Sequence, residues 1–308
     1  MPLLAAALPN ATAMGSLAAY LALIAAAAVA GGSSVAFLSL GHRPMQVLLS
    51  LTGGVLLGVG LLHLLPHACL ALGRDVEAAM GWALVGFFVM FLLERAFHAH
   101  AHHTADGGHD CGHEHHDGHD HARNHDHGRP ATAGRWAWCG AFAGLALHSL
   151  ADGAALAASV GSDAAHGGGM LSGLATFLAI LLHKPFDAAI IATLLINAGA
   201  TPGFRRIVNL AYALVVPLGA VGFLASLRLF GTHQGEVLGI AMAMSGGAFI
   251  CIAAADLLPE VQFHSHDRVL LTTALALGLA IAWGITVLER SSHAHAAHAP
   301  ATAGDHGH

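Results

Sequence analysis

The chain has 308 residues, of which 56% are hydrophobic and only 10% charged, with a mean hydropathy of +0.65. Soluble domains carry roughly 25% charged residues, so this composition excludes a water-facing surface and requires a lipid solvent. The formal charge of −6 counts 26 histidines as neutral, and the 12 Lys and Arg residues form no patch of the kind nucleic acid requires.

A helix needs about 20 apolar residues to cross a hydrocarbon core. Eight stretches qualify, at about 16–40, 47–70, 78–97, 136–160, 170–197, 206–230, 236–259 and 268–289. The predicted fold class is therefore an all-α integral membrane protein with eight transmembrane helices. The spans are rich in Ala and Gly, which lets helices pack closely where no hydrophobic force drives them together. No basic segment precedes span 1, so it reads as a span and not as a cleaved signal peptide. Cys69, Cys111, Cys139 and Cys251 show no CxxC spacing and imply no disulfide framework.

Span 2 carries Thr52-Gly53-Gly54 and then His63-Leu-Leu-Pro66-His67. After span 3 comes a segment of low complexity, 98–135, that opens His-Ala-His-Ala-His-His and continues to His127. Such a tract forms no core but can bind metal loosely. Span 4 contains His148-Ser149-Leu-Ala-Asp152-Gly153, and span 5 contains His183-Lys184-Pro185-Phe186-Asp187. In each, a His and an Asp stand four apart and share a helix face. Facing each other, the two spans would supply two imidazoles and two carboxylates, a tetrahedral N/O set suited to Zn²⁺ and also open to Fe²⁺, Mn²⁺ or Cd²⁺. Ionisable residues at membrane depth are costly and mark pathways. Lys184 needs a counter-charge there; it either pairs with a carboxylate or blocks a second cation. Pro185 frees a backbone carbonyl near Leu181 beside these ligands.

Span 7 reads Ser245-Gly246-Gly247 and then Asp256-Leu-Leu-Pro259-Glu260, the pattern of span 2 at the same separation. The two copies cross in opposite directions, so helices 1–3 and 6–8 form an inverted-topology repeat around spans 4 and 5, as in transporters with a midplane site. His63, His67, Asp256 and Glu260, with Ser149, are further candidate path positions. The chain thus divides into 1–97 (N-terminal region and spans 1–3), the His-rich loop 98–135, spans 4 and 5 in 136–197, spans 6–8 in 198–290 and a His-rich tail 291–308. Arginines concentrate after spans 1, 3, 5 and 7, among them Arg43, Arg95, Arg205, Arg206 and Arg268. By the positive-inside rule that side is cytoplasmic, which places both termini outside and the His-rich loop inside.

The span-4 His-Ser-x-x-Asp-Gly, the span-5 His-Lys-Pro-x-x-Asp, the paired Leu-Leu-Pro blocks and the loop after span 3 together resemble the ZIP (Zrt/Irt-like protein) family of metal transporters. The resemblance implies a 3+2+3 helix arrangement, zinc uptake into the cytoplasm by alternating access, and a multi-pass place in a cell membrane of the bacterial inner type. A homodimer is compatible with it. It matches His148, Asp152, His183 and Asp187 to the family's primary metal site. Binuclear members add ligands at positions that are Ser149, Lys184 and Val216 here, so the resemblance implies one transport metal. Two other readings compete. A cation-diffusion-facilitator exporter also uses paired His-x-x-x-Asp motifs, but expects six spans and a soluble C-terminal domain. An intramembrane metallohydrolase would want His-Glu-x-x-His with a glutamate base, and no such motif occurs, so the chain is read as a transporter and not an enzyme.

Overall fold

Long Ala- and Leu-rich stretches with few internal prolines fix the helices, and glycine turns separate them. The computed structural model describes residues 11–35, 42–105, 137–165, 171–230, 233–263 and 268–297. At 42, 96–105, 137, 256–263 and 289–297 only the backbone is described. The helices are α1 (Ala11–Ser34), α2 (His42–Val59), α3 (Leu65–Ala71), α4 (Val76–Ala105), α5 (Ala137–Ala165), α6 (Leu174–Asn197), α7 (Pro202–Ala213), α8 (Val215–Phe230), α9 (Gln234–Phe263) and α10 (Arg268–Ala297). A π-helical turn at Gly60–Leu64 joins α2 to α3. No strand occurs among the described residues.

Among the described residues, eight helical segments are long and apolar enough to cross a membrane: Ala11–Ser34, Arg43–Ala71, Val76–Arg95, Trp138–Ala165, Leu174–Asn197, Pro202–Phe230, Gln234–Ala255 and Arg268–Leu288. These are spans 1 to 8. The surface supports a lipid setting, since Leu84, Phe88, Leu218, Val221, Leu277 and Trp283 are exposed while Thr52, His148, Ser149, Asp152 and Lys184 are buried. That pattern inverts a soluble protein's distribution.

Several span ends shift by a few residues from the sequence reading, and one span is broken. Span 1 starts at Ala11, and span 4 runs to Ala165, carrying Ser162 and Asp163 as helical residues beyond the apolar stretch. Span 6 breaks at Leu214, whose N–H turns back to the Ala211 carbonyl at 3.3 Å. Pro217 explains the break, because its ring clashes with the carbonyl four residues earlier and it donates no hydrogen bond. Pro185, by contrast, sits inside a continuous α6.

Short turns set the antiparallel hairpins. After α3, Gly73 takes φ +71°, Arg74 N–H donates to the Cys69 carbonyl (2.7 Å) and Gly73 N–H to Leu70 (3.2 Å). Gly199 (φ +73°) ends α6 the same way, with Ala200 bonded to Leu195 at 3.0 Å and Gly199 to Ile196 at 2.9 Å. Both are Schellman caps. Two residues later, Asp75 accepts from Ala78 N–H and Thr201 from Phe204 N–H, starting the next helix.

Four helix pairs dominate the packing: α2 with α10, α4 with α9, α5 with α8, and α1 with α6. Glycines set the approach. A Cβ on Gly54 would strike the Leu275 carbonyl, and one on Gly278 the Leu51 carbonyl. In α9 and α4, Gly247 meets the Ala83 carbonyl and Gly86 the Met244 carbonyl; in α5 and α8, Gly153 meets Val216 and Gly219 meets Leu150. Each time the carbonyl stands three residues before the partner helix's glycine. Only glycine allows backbones this close. On α1, Gly31 meets the Pro185 carbonyl of α6, three residues before Ala188. Packing therefore gathers spans 1, 4, 5 and 6 into one group and spans 2, 3, 7 and 8 into another.

Candidate metal centre

A His and an Asp four apart lie on one face of α5, and another such pair lies on α6. The two faces meet. One ligand atom each from His148, Asp152, His183 and Asp187 lies within 4.8 Å of all the others. Ligand atoms held about 2.1 Å from one ion in a tetrahedron stand about 3.4 Å apart. Here His148 Nε2 is 3.4 Å from His183 Nε2 and 3.4 Å from Asp152 Oδ2. His183 Nε2 is 3.3 Å from Asp152 Oδ2, and Asp187 Oδ2 lies 3.9 Å from His148 Nε2 and 4.0 Å from His183 Nε2. The atoms therefore stand close to the corners of a zinc-sized tetrahedron, with Asp187 slightly outside. His183 Nδ1–H donates to the Ala179 carbonyl at 2.8 Å, which fixes the ring and leaves Nε2 a lone pair for an ion. The cluster is buried except for Asp187, which is 14% exposed.

Lys184 accounts for the carboxylates. Its ammonium lies 2.6 Å from Ser149 Oγ, 2.8 Å from Asp152 Oδ2 and 3.3 Å from Asp187 Oδ2. Its three protons thus meet three acceptors, which is what allows a lysine only 1% exposed to remain charged at membrane depth. The sequence left open whether it pairs with a carboxylate or blocks a cation; it pairs with both. Ser149 Oγ, besides accepting from Lys184, donates to the Leu145 carbonyl at 2.5 Å. Val216 is buried against Gly153 and offers no ligand.

Tyr212 on α7 completes the arrangement. Its hydroxyl donates to Asp187 Oδ2 at 3.1 Å and lies 2.9 Å from Ser149 Oγ, and Lys184 Nζ is 5.4 Å from its ring centre. Pattern alone does not flag it, although it is one of two tyrosines and stands one helical turn before Val216.

Two further candidates lie elsewhere. His63 and His67 meet Asp163 in a second cluster. Asp163 is also missed by pattern, because it lies past the apolar part of span 4. The side chains of Asp256 and Glu260 lie outside the described residues, as do those of the His-rich loop and tail. Among the described residues, Cys69, Cys139 and Cys251 are free thiols.

Zinc transporter ZIP9 of Micropogonias undulatus is 32% identical over 133 residues, covering 41% of this chain and 40% of that protein. Zinc transporter ZIP9-B of Xenopus laevis is 33% identical over 130 residues, covering 41% of each. Zinc transporter ZIP4 of Rattus norvegicus is 29% identical over 294 residues, covering 80% of this chain and 43% of that protein. The chain spans about two fifths of the length of the curated relatives it matches. The family model described as ZIP Zinc transporter matches residues 11–288, nearly the whole chain, and the chain therefore belongs to the ZIP zinc transporter family.

Proposed function

We propose that this chain carries a divalent transition metal, zinc foremost, across the membrane into the cytoplasm through one site formed by His148, Asp152, His183 and Asp187. The observation that carries this reading is the meeting of two imidazoles and two carboxylates, at nearly tetrahedral spacing, between two membrane helices. The names of the relatives support zinc as the cargo. Inward direction and outward termini rest on the arginine bias. Fe²⁺, Mn²⁺ and Cd²⁺ suit the same donors less selectively.

The moving unit we propose is the group of spans 1, 4, 5 and 6, sliding against spans 2, 3, 7 and 8. Packing supports the division, because the strongest helix contacts fall within these groups. An inverted repeat underlies it. Gly54 and Gly247, the matched glycines of spans 2 and 7, meet their partner helices through the same reciprocal contact. Exchanging span 1 with 6, 2 with 7, 3 with 8 and 4 with 5 maps the four main helix pairs onto one another. Under the same exchange His148, Asp152 and Gly153 correspond to His183, Asp187 and Ala188. The site would then lie on the repeat's own axis, with each half supplying one His and one Asp. Once inside, the ion meets the His-rich segment 98–135.

The test is zinc uptake into proteoliposomes that hold a zinc-sensitive dye. Wild type fills the vesicles; His183→Ala and Asp152→Ala, shown folded by gel filtration and helical circular dichroism, do not. If both variants transport as wild type does, the assigned site is wrong. If wild type moves no divalent metal, the transport reading itself fails.

A further inference from the structure

We infer that His63, His67 and Asp163 form a second metal-binding site, near the outer ends of spans 2 and 4 and separate from the four-ligand centre. Asp163 lies eleven residues beyond Asp152 on α5, about 16 Å along a helix axis. The two sites therefore share no ligand.

The geometry is that of a built site. His67 Nε2 is 3.6 Å from Asp163 Oδ1, and His63 Nε2 is 3.7 Å from Asp163 Oδ2. The two separations go to different oxygens of the one carboxylate, and a single ligand atom from each of the three residues lies within 4.8 Å of the others, close enough to share an ion. His67 Nδ1–H donates to the His63 carbonyl at 2.7 Å, which orients the ring with Nε2 toward Asp163. Thr176 donates to Ser159 Oγ at 2.9 Å, and Ser159 Oγ lies 2.9 Å from His63 Nε2. That hydroxyl chain lets Ser159 donate to the imidazole, so Nε2 is an acceptor that an ion can take over. Asp163 is only 2% exposed. Its Oδ2 is held by the Gly173 N–H at 2.6 Å, while among the described residues Oδ1 has no hydrogen-bond partner. A buried carboxylate oxygen left without a donor carries a desolvation cost, and a cation beside it would offset that cost. His67 is 20% exposed, so the pocket opens to the surface on one side. The π-helical turn at Gly60–Leu64, which contains His63, is a feature often found at functional sites.

Two imidazoles and one carboxylate suit zinc or a neighbouring transition metal, and not Mg²⁺ or Ca²⁺. The ligands also come from both packing groups: His63 and His67 from span 2, Asp163 from span 4. An ion held here would tie the groups together at the outer end. That it loads the same metal that is then transported rests on the reading proposed above; the existence of the site does not.

The experiment is zinc-edge anomalous diffraction on crystals of the full chain soaked in Zn²⁺, comparing wild type with Asp163→Asn. Asparagine is isosteric and keeps an acceptor for Gly173, so folding is retained. Wild type gives an anomalous peak among His63, His67 and Asp163, and the variant loses that peak while keeping any peak at the four-ligand centre. A wild-type protein with no outer peak, or a peak unchanged in Asp163→Asn, overturns the proposal whatever the inner centre shows. An outer peak that Asp163→Asn abolishes, with no inner peak, would uphold this site and count against the transport centre instead.

Discussion

Lys184 Nζ lies 2.8 Å from Asp152 Oδ2, the same oxygen that stands 3.3 Å from His183 Nε2 and 3.4 Å from His148 Nε2. In the transport centre proposed above, a lysine and an incoming ion would therefore compete for one carboxylate oxygen. Without the ion, the two carboxylates and the ammonium carry a net charge of −1; with a divalent ion added the total is +1, and a second cation would be repelled. Lysine thus stands where the family's binuclear members are expected to place another ligand, which favours a single ion.

Replacing that lysine separates its two effects. Lys184→Met should bind zinc more tightly, because nothing competes for Asp152 Oδ2. It should also be less stable in zinc-free buffer by about 3–5 kcal/mol, the usual cost of stranding one partner of a buried pair. Thermal unfolding with and without zinc checks both: the variant should show a lower zinc-free Tm and a larger zinc-dependent rise than wild type. An unchanged zinc-free Tm would mean that Lys184 does not neutralise the carboxylates.

Tyr212→Phe keeps the buried ring and removes only the hydroxyl that bonds to Asp187. Loss of a partner that orients a metal ligand typically costs 10–100-fold in affinity. Zinc uptake by this variant should show a KM raised by roughly tenfold, in a protein that purifies like wild type. If KM is unchanged, Asp187 is positioned by Lys184 alone.

Donor chemistry sets selectivity. Two imidazole nitrogens favour zinc, cadmium and similar ions, whereas Mg²⁺ and Ca²⁺ prefer all-oxygen shells. In competition assays, cadmium at micromolar levels should suppress zinc uptake, while Mg²⁺ and Ca²⁺ at millimolar levels should not. Suppression by Ca²⁺ would show that the imidazoles do not bind the cargo.

The glycine contacts give a test of packing with an internal control. Gly54→Ala and Gly247→Ala each drive a methyl group into a neighbouring backbone carbonyl, whereas among the described residues a methyl group at Gly284 meets nothing within 4 Å. The first two should lower the Tm in detergent markedly and by similar amounts, since each meets its partner helix through the same kind of backbone contact. Gly284→Ala should leave it unchanged or slightly raised, by up to about 1 kcal/mol of helix propensity.

The sequence by itself determined the solvent and the eight spans found among the described residues, and it supplied the donor types of the proposed centre. A 10% charged chain with eight apolar stretches has few ways to satisfy its backbone other than membrane helices. His and Asp four apart share a face on any helix, so each half of the candidate centre was legible locally in His148-Asp152 and His183-Asp187. Through-space relationships were not. That Lys184 meets three acceptors, that Tyr212 reaches Asp187 and that His63 and His67 meet Asp163 depend on how closely α5, α6, α7 and the span-2 helices approach. Asp163 was hidden further because α5 continues past its apolar stretch, where hydropathy carries no signal. Nor could helical periodicity reveal that spans 1 and 6 pack with spans 4 and 5, because glycines facing partner carbonyls decide which helices come into contact, and a glycine's neighbour is visible only in three dimensions.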